Sequence, residues 1–372
     1  LRFFLSCLEA VMLKICSSPF RFLFACPLLV VSCLLGGCNQ TPPVPDPEPA
    51  AFLETAKASF KRNNAGEVVL IDLRGIEITD ELLQQVAGLR NLKTLSLADT
   101  QVTDAQVALL KDLSDTVISI DLRNCPITNE AMLTIGSFAQ LQALWLSGKS
   151  NASLVDDDGL AHLTALPELQ IITLDDLWIT NTGLEALKNS SKLEELYLAN
   201  TSVDDDGMAL ISQFAQLKRI RLARTSVSDA GLAHLEKCTA LVDLDLSEVS
   251  TISDAGLASL GKLKSLQRLN LWRAPVGDDG IQHLAGLTNL DYLNVDNTKL
   301  SNAGLVCFKD MNKLTFLHLG STQITDDGIS ALFHLTNLKD LKVTRTGVTE
   351  AGVAELQKHL SNTKIQLEYL GG

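Results

Sequence analysis

Aromatic residues are scarce in this 372-residue chain, where Phe, Trp and Tyr together make up 5 %. A core built with few large rings must be filled by aliphatic side chains, and apolar residues at 46 % supply them. Catalytic signatures are missing too. No G-x-S-x-G, H-E-x-x-H, phosphate-cradling glycine loop or paired-cysteine zinc pattern occurs, so the chain reads as non-enzymatic, with no metal and no cofactor expected. Positive charge is short: 31 Lys and Arg face 44 Asp and Glu, a net charge of −13. Residues 1–37 hold Arg2, Lys14 and Arg21 against Glu9, so the remainder stands at −15. An acidic body of this kind argues against nucleic acid as a partner and against a surface that lies on anionic lipid headgroups. Eight cysteines are present, but Cys7, Cys16, Cys26, Cys33 and Cys38 fall in the first 38 residues, and Cys125, Cys238 and Cys307 make no disulfide framework.

What is abundant is repetition. A unit of about 24 residues opens at Val68, Leu92, Val117, Leu141, Leu169, Leu193, Leu217, Leu241, Leu266, Leu290, Leu314 and Leu338, following L-x-x-L-x-L-x-x-T-x-V-T-D-x-G-L-x-x-L. In the first half, pairs such as Ile220 and Leu222 or Leu244 and Leu246 alternate as on a strand with one face inward. In the second half the period changes to about 3.6, and Leu257 with Leu260, or Ile329 with Leu332, mark one face of a short helix. The Ser/Thr-Asp pair ahead of it caps the helix and complements its dipole. One such unit cannot bury its own apolar face, so neighbours must stack. The period predicts an α/β leucine-rich repeat solenoid, a horseshoe with a parallel sheet on the concave face and helices on the convex face.

Two repeat positions read as structural. The ninth, Thr100, Thr201, Thr225, Thr298, Thr322 and Thr346 with Cys125 and Ser250 as variants, needs a small side chain that hydrogen-bonds the loop backbone. The glycine of D-x-G-L, present from Gly159 to Gly352, lets the helix start pack close to its neighbour, whereas the first three copies carry Leu82, Gln106 and Ala131. Runs such as Asp156-Asp157-Asp158-Gly159 resemble calcium ligands only superficially. They fall at helix starts repeat after repeat and lack the D-x-D-x-D-G loop with its distant glutamate. His162, His234, His283 and His334 each precede a core leucine, which is repeat spacing rather than metal-ligand spacing.

The T-D-x-G-L half resembles the leucine-rich repeats abundant in planctomycete-type bacterial proteins, and is similar to the cysteine-containing and ribonuclease-inhibitor-like subclasses, including the repeat arms of F-box proteins. The resemblance covers about residues 66–370 and implies a binding scaffold without naming a ligand.

The leader carries a second signal. Lys14 and Arg21 precede an apolar run from Phe22 to Leu35, and the run ends in Leu35-Gly36-Gly37-Cys38. This layout resembles a bacterial lipoprotein signal, which implies cleavage after residue 37 and lipid on the Cys38 thiol. An ordinary cleaved signal and a retained anchor are the alternatives. Five prolines from Pro42 to Pro49 then predict an extended linker over residues 38–51. Phe52 to Arg62 has helical spacing and reads as a helix within a cap of residues 52–65, followed by repeats over 66–356 and a C-terminal cap over 357–372 closed by a strand at Ile365-Gln366-Leu367. The chain is expected to be a monomer in a bacterial cell envelope.

The third, fifth and seventh positions of each repeat face outward on the sheet, with the eighth at its rim. Early repeats place small or polar residues there: Thr94, Ser96, Ala98, Ser119 and Ala143. From the sixth repeat the content changes to Tyr197, Arg219, Arg221, Arg224, Asp243, Asp245, Arg268, Trp272, Arg273, Tyr292, Phe316 and His318, joined by Glu195 and Asp296. Aromatic and arginine side chains dominate binding hot spots, so these residues form the candidate site for a protein or peptide partner. Cross-strand pairing, Arg221 with Asp245 for instance, is the competing explanation. Four extra residues in the loop Gly148 to Leu154, with Trp145 as an aromatic floor, form a further candidate. The alternatives to a concave-face scaffold are an F-box-like adaptor, for which residues 39–65 leave little room, and a purely structural envelope protein.

Overall fold

The computed structural model describes residues 50–368, so the leader, Cys38 and most of the proline-rich linker lie outside the described residues. Among the described residues, fourteen strands form one sheet in chain order. They are β1 (Ser59–Arg62), β2 (Val68–Asp72), β3 (Thr94–Ser96), β4 (Ser119–Asp121), β5 (Ala143–Ser147), β6 (Ile171–Asp175), β7 (Glu195–Tyr197), β8 (Arg219–Arg221), β9 (Asp243–Asp245), β10 (Arg268–Asn270), β11 (Tyr292–Asn294), β12 (Phe316–His318), β13 (Asp340–Lys342) and β14 (Lys364–Gln366). From β2 onward every neighbouring pair is parallel, and each strand from β2 to β13 is followed by a short helix packed behind the sheet. The fold is the leucine-rich repeat horseshoe.

The sheet register repeats the sequence register: Ile220 faces Leu244 and Arg221 faces Asp245 across β8 and β9. The inward set is sealed, with Leu222, Leu244, Leu246, Leu257 and Leu260 all at 0 % exposure. Cys125, Cys238 and Cys307 are free and buried in the same core. Burial pushes the first two thiols up to about 11 and Cys307 to about 12, so they stay protonated.

The N-terminal cap departs from expectation. The helix spans only Ala50–Thr55, and Ser59–Arg62 is a strand antiparallel to β2. Phe60 lies opposite Ile71 there, so the apolar residues that mimic one helical face are divided between the helix, which holds Phe52 and Leu53, and the strand. The exposed edge of β2 offers a row of unpaired backbone groups, and pairing them outweighs the local helical spacing. At the other end, the last helix runs Glu350–His359, across the expected boundary at residue 356, and β14 pairs with β13.

Loop chemistry explains the ninth and eighth positions. The ninth-position threonines turn back on the strand: Thr201 Oγ1 donates to the Leu198 carbonyl at 2.7 Å, Thr225 to Leu222 at 2.6 Å and Thr322 to Leu319 at 2.6 Å. The preceding residue adopts left-handed backbone in almost every copy, as Asp99, Asn124, Asp176 and Asn200 do at φ between 57° and 62°. Asn and Asp tolerate that region, but Arg224, Glu248, Arg273 and Arg345 occupy it too, at φ between 55° and 59°; after Glu248 the buried ninth place is filled by Val249, and Ser250, expected there, is exposed.

The aspartate of the Ser/Thr-Asp pair does more than complement its own helix dipole. Thr180 caps its own helix by accepting from Thr182 N–H, whereas Asp157, one repeat earlier, accepts from Thr180 N–H at 2.9 Å and from Thr180 Oγ1 at 2.5 Å. The same link joins Asp104 to Thr128, Asp205 to Ser228, Asp229 to Ser253, Asp278 to Ser301 and Asp326 to Thr349. Five of these carboxylates lie over the next repeat's glycine, while the repeat after Asp104 carries Ala131 there: a Cβ on Gly183 would meet Asp157 Oδ1 at 2.4 Å. That is why D-x-G-L needs glycine. Asn takes the place of Asp at Asn129 and Asn181, where the next cap is Asp156 or Asp204, and its amide donates to that carboxylate at 2.8 and 2.6 Å.

Candidate functional site

Strand geometry brings the later outward residues into one continuous surface, because equivalent positions on parallel strands stand side by side. The arginines do not stand free. Arg219 meets Glu195 at 2.5 Å, and Tyr197 donates its hydroxyl to the same carboxylate at 2.9 Å. Arg221 bridges two strands, with Asp175 at 2.7 Å and Asp245 at 3.3 Å. Arg268 reaches Asp243 at 3.4 Å. At the rim, Arg224 and Arg273 share Glu248, at 2.6 and 3.1 Å, and Arg273 also lies over the Trp272 ring at 5.6 Å. Burial pushes the Asp243 carboxyl up to about 6 against the pull of Arg268 and Arg219, and it raises Asp175 against Arg221.

Beyond β10 the surface turns aromatic. Arg268 covers the Tyr292 ring at 4.1 Å, and Tyr292 stacks on Phe316 at 4.5 Å with the planes within 4°. Lys342 lies over Phe316 at 5.5 Å, and His318 stands edge-on to it at 6.4 Å. Cations close both ends of this stack, so an approaching ligand meets ring edges and polar flanks rather than open ring faces. The structure thus joins Tyr197, Arg219, Arg221, Asp243, Asp245, Arg268, Tyr292, Phe316 and His318 in one strand face, with Arg224, Trp272 and Arg273 in the turns at its rim and the arginines already engaged by carboxylates.

The loop at Gly148 to Leu154 is revised. Trp145 is 5 % exposed and does not form an open aromatic floor. The accessible apolar side chains at this rim are Leu154 and Trp178, at 56 % and 71 % exposure, in adjacent repeats. Sequence reasoning passed over Trp178, although it stands at a tenth position that holds Ser202, Ser226 and Thr251 in the next three repeats. It also missed Asp175, whose partner lies 46 residues away. Among the described residues no three His, Cys, Asp or Glu side chains gather in a metal-binding group, and no helix is long and apolar enough to cross a membrane.

The class defined by this architecture is the leucine-rich repeat solenoid. Residues 310–333 match a family model described as "Leucine Rich repeat". Among solved structures, the chain is similar to an internalin from Listeria monocytogenes, with a TM-score of 0.62 and 17 % identity, over 87 % of this chain and 94 % of that one. No curated protein matches.

Proposed function

We propose that this chain is a non-enzymatic, lipid-anchored recognition scaffold of a bacterial cell envelope that holds a protein or peptide partner against the strand face of β7 to β13. One observation carries the reading: the aromatic and charged side chains are concentrated on that half of the sheet, whereas β3 and β4 present mainly small polar groups. Packing alone does not require that asymmetry, since the inward leucines are the same in both halves. A free anionic ligand is disfavoured because Arg219, Arg221 and Arg268 already hold carboxylates. The extensive cross-strand ion pairs favour the second reading, a structural envelope protein whose face is self-complementary.

Affinity capture from solubilised envelope with Trp272→Ala and Tyr292→Ala tests the first reading. A partner held by the wild type and lost on both variants supports it, whereas equal recovery favours the structural role. Anchoring is tested separately through the Leu35-Gly36-Gly37-Cys38 motif. Labelled palmitate should enter the wild type and be absent from Cys38→Ser. Two or three acyl chains hold a protein on a membrane where a single chain is marginal.

A further inference from the structure

The seventh outward position carries a side chain in every repeat except one, where it is Gly320. Without a side chain there, polar groups from the neighbouring strands close in above the Gly320 backbone. A Cβ placed on Gly320 would stand 2.7 Å from Thr344 Oγ1, 2.8 Å from Asp296 Oδ1 and 2.9 Å from His318 Nε2. Three polar atoms from three successive repeats therefore converge above one glycine, and they do not satisfy each other. His318 Nε2 and Asp296 Oδ1 are 3.9 Å apart, too far for a hydrogen bond. Thr344 is only 4 % exposed, and its hydroxyl has no partner among the described residues.

The character of the three groups selects the ligand. An ionised carboxylate only accepts, a hydroxyl can accept, and a neutral imidazole accepts at the nitrogen without the proton. Burial holds His318 below the usual histidine range, with Asp296 on the strand before opposing that shift and Lys342 on the strand after reinforcing it. The imidazole is thus neutral near pH 7. Three acceptors bearing one negative charge match a group with three N–H donors and one positive charge. A guanidinium is a poor match, since its planar fork prefers two oxygens side by side. Lys342 does not fill the niche itself, because its ammonium lies over the Phe316 ring at 5.5 Å. The acidic body, at −13 overall, adds long-range attraction for a cationic partner.

We propose that the niche formed by Asp296, His318 and Thr344 over Gly320 receives one primary ammonium group, carried on a lysine side chain of the protein partner. This rests on the reading of the strand face as a partner surface, and it adds the residue type that the surface selects. The polar walls orient the ammonium while the edges of Tyr292 and Phe316 flank its methylene stem.

The test uses the full chain labelled with 13C on its histidine rings, with the His318 signal assigned by His318→Gln. Acetyl-Gly-Lys-Gly-amide is titrated against acetyl-Gly-norleucyl-Gly-amide, which keeps the stem and lacks the charge. The lysine peptide should shift the His318 ring signal, bind at least tenfold tighter than the norleucine peptide, and weaken as the pH falls below the usual histidine range and His318 takes up a proton. Gly320→Ala fills the niche and Asp296→Asn removes its charge; each should lower affinity at least tenfold, and Thr344→Val serves if either variant loses native circular dichroism. Equal binding of both peptides, an unchanged affinity in Gly320→Ala, or no shift at His318 would overturn the proposal. Partner capture that still depends on Trp272 would in that event leave the broader partner-surface reading standing; loss of both would remove it as well.

Discussion

Replacing Gly183 with alanine should destabilise this protein, although the same change in an isolated helix stabilises it by about 0.5–1 kcal/mol. The reversal comes from one contact. The new methyl would lie 2.4 Å from Asp157 Oδ1 and 3.1 Å from its carboxyl carbon, closer than real Cβ contacts come. Moving Asp157 aside weakens its bonds from Thr180 N–H and Oγ1 at 2.9 and 2.5 Å. A hydrogen bond to a charged group contributes about 1.5–3 kcal/mol, less on a half-exposed rim, so weakening both should outweigh the propensity gain by about 1–3 kcal/mol. Urea denaturation of the wild type, Gly183→Ala, Asp157→Ala and the double variant closes a thermodynamic cycle. In the Asp157→Ala background the clash is gone, and Gly183→Ala should be neutral or slightly stabilising. If Gly183→Ala raises the midpoint of the wild type, or costs the same in both backgrounds, the link between helix starts is not what selects glycine.

Three further outcomes follow from the geometry. Leu244→Ala empties a fully buried position and should cost about 2–5 kcal/mol, whereas Asp340→Ala on the outward face should stay within about 0.5 kcal/mol; equal losses in denaturation would put the strand register in error. Asp243, raised to about 6 in the folded state, is favoured when protonated, so its contribution is full below the ordinary carboxylate range and is lost as pH rises through 6. Asp243→Asn should therefore match the wild type at pH 4 and exceed it at pH 7.5 by about 2 kcal/mol, and a variant less stable at pH 7.5 would show that the pairing with Arg268 dominates. Gly148 lies against the Asp176 backbone, but Lys149 to Ala152 form a surface turn, so deleting that turn should leave the melting temperature within a few degrees; a large drop would make the turn structural.

How much of this was legible depends on whether the information is local. The inward leucines, the ninth-position threonines and the glycine of D-x-G-L show as period, because each acts on its own turn or on the neighbour one repeat away. The strand Ser59–Arg62 was not legible, since its reason is the open edge of β2 rather than its own four residues. The outward residues could be gathered on one face from their spacing. Their partners could not: Arg221 joins Asp175 across an intervening strand, and Gly320 gains its meaning only from Asp296 and Thr344 on either side. One clue to the aspartate links was available in the sequence. Asn replaces Asp at Asn129 and Asn181, where the following cap is Asp156 or Asp204 and the swap avoids two facing carboxylates, and also at Asn302 before Thr325.

Those links also set how the horseshoe would give way under tension. Pulled along its length, the protein is a series of joints, each held by a strand pairing, a core contact and a bond between helix starts. Most of those bonds are double, a backbone N–H and a side-chain hydroxyl onto one carboxylate. The joint between Asp254 and Gly277 has the backbone N–H alone, because glycine supplies no hydroxyl. It is therefore a softer joint than the doubly bonded ones on either side of it. It falls between β9 and β10, so flexing there would open or close the angle between the arginine-rich strands and the aromatic strands.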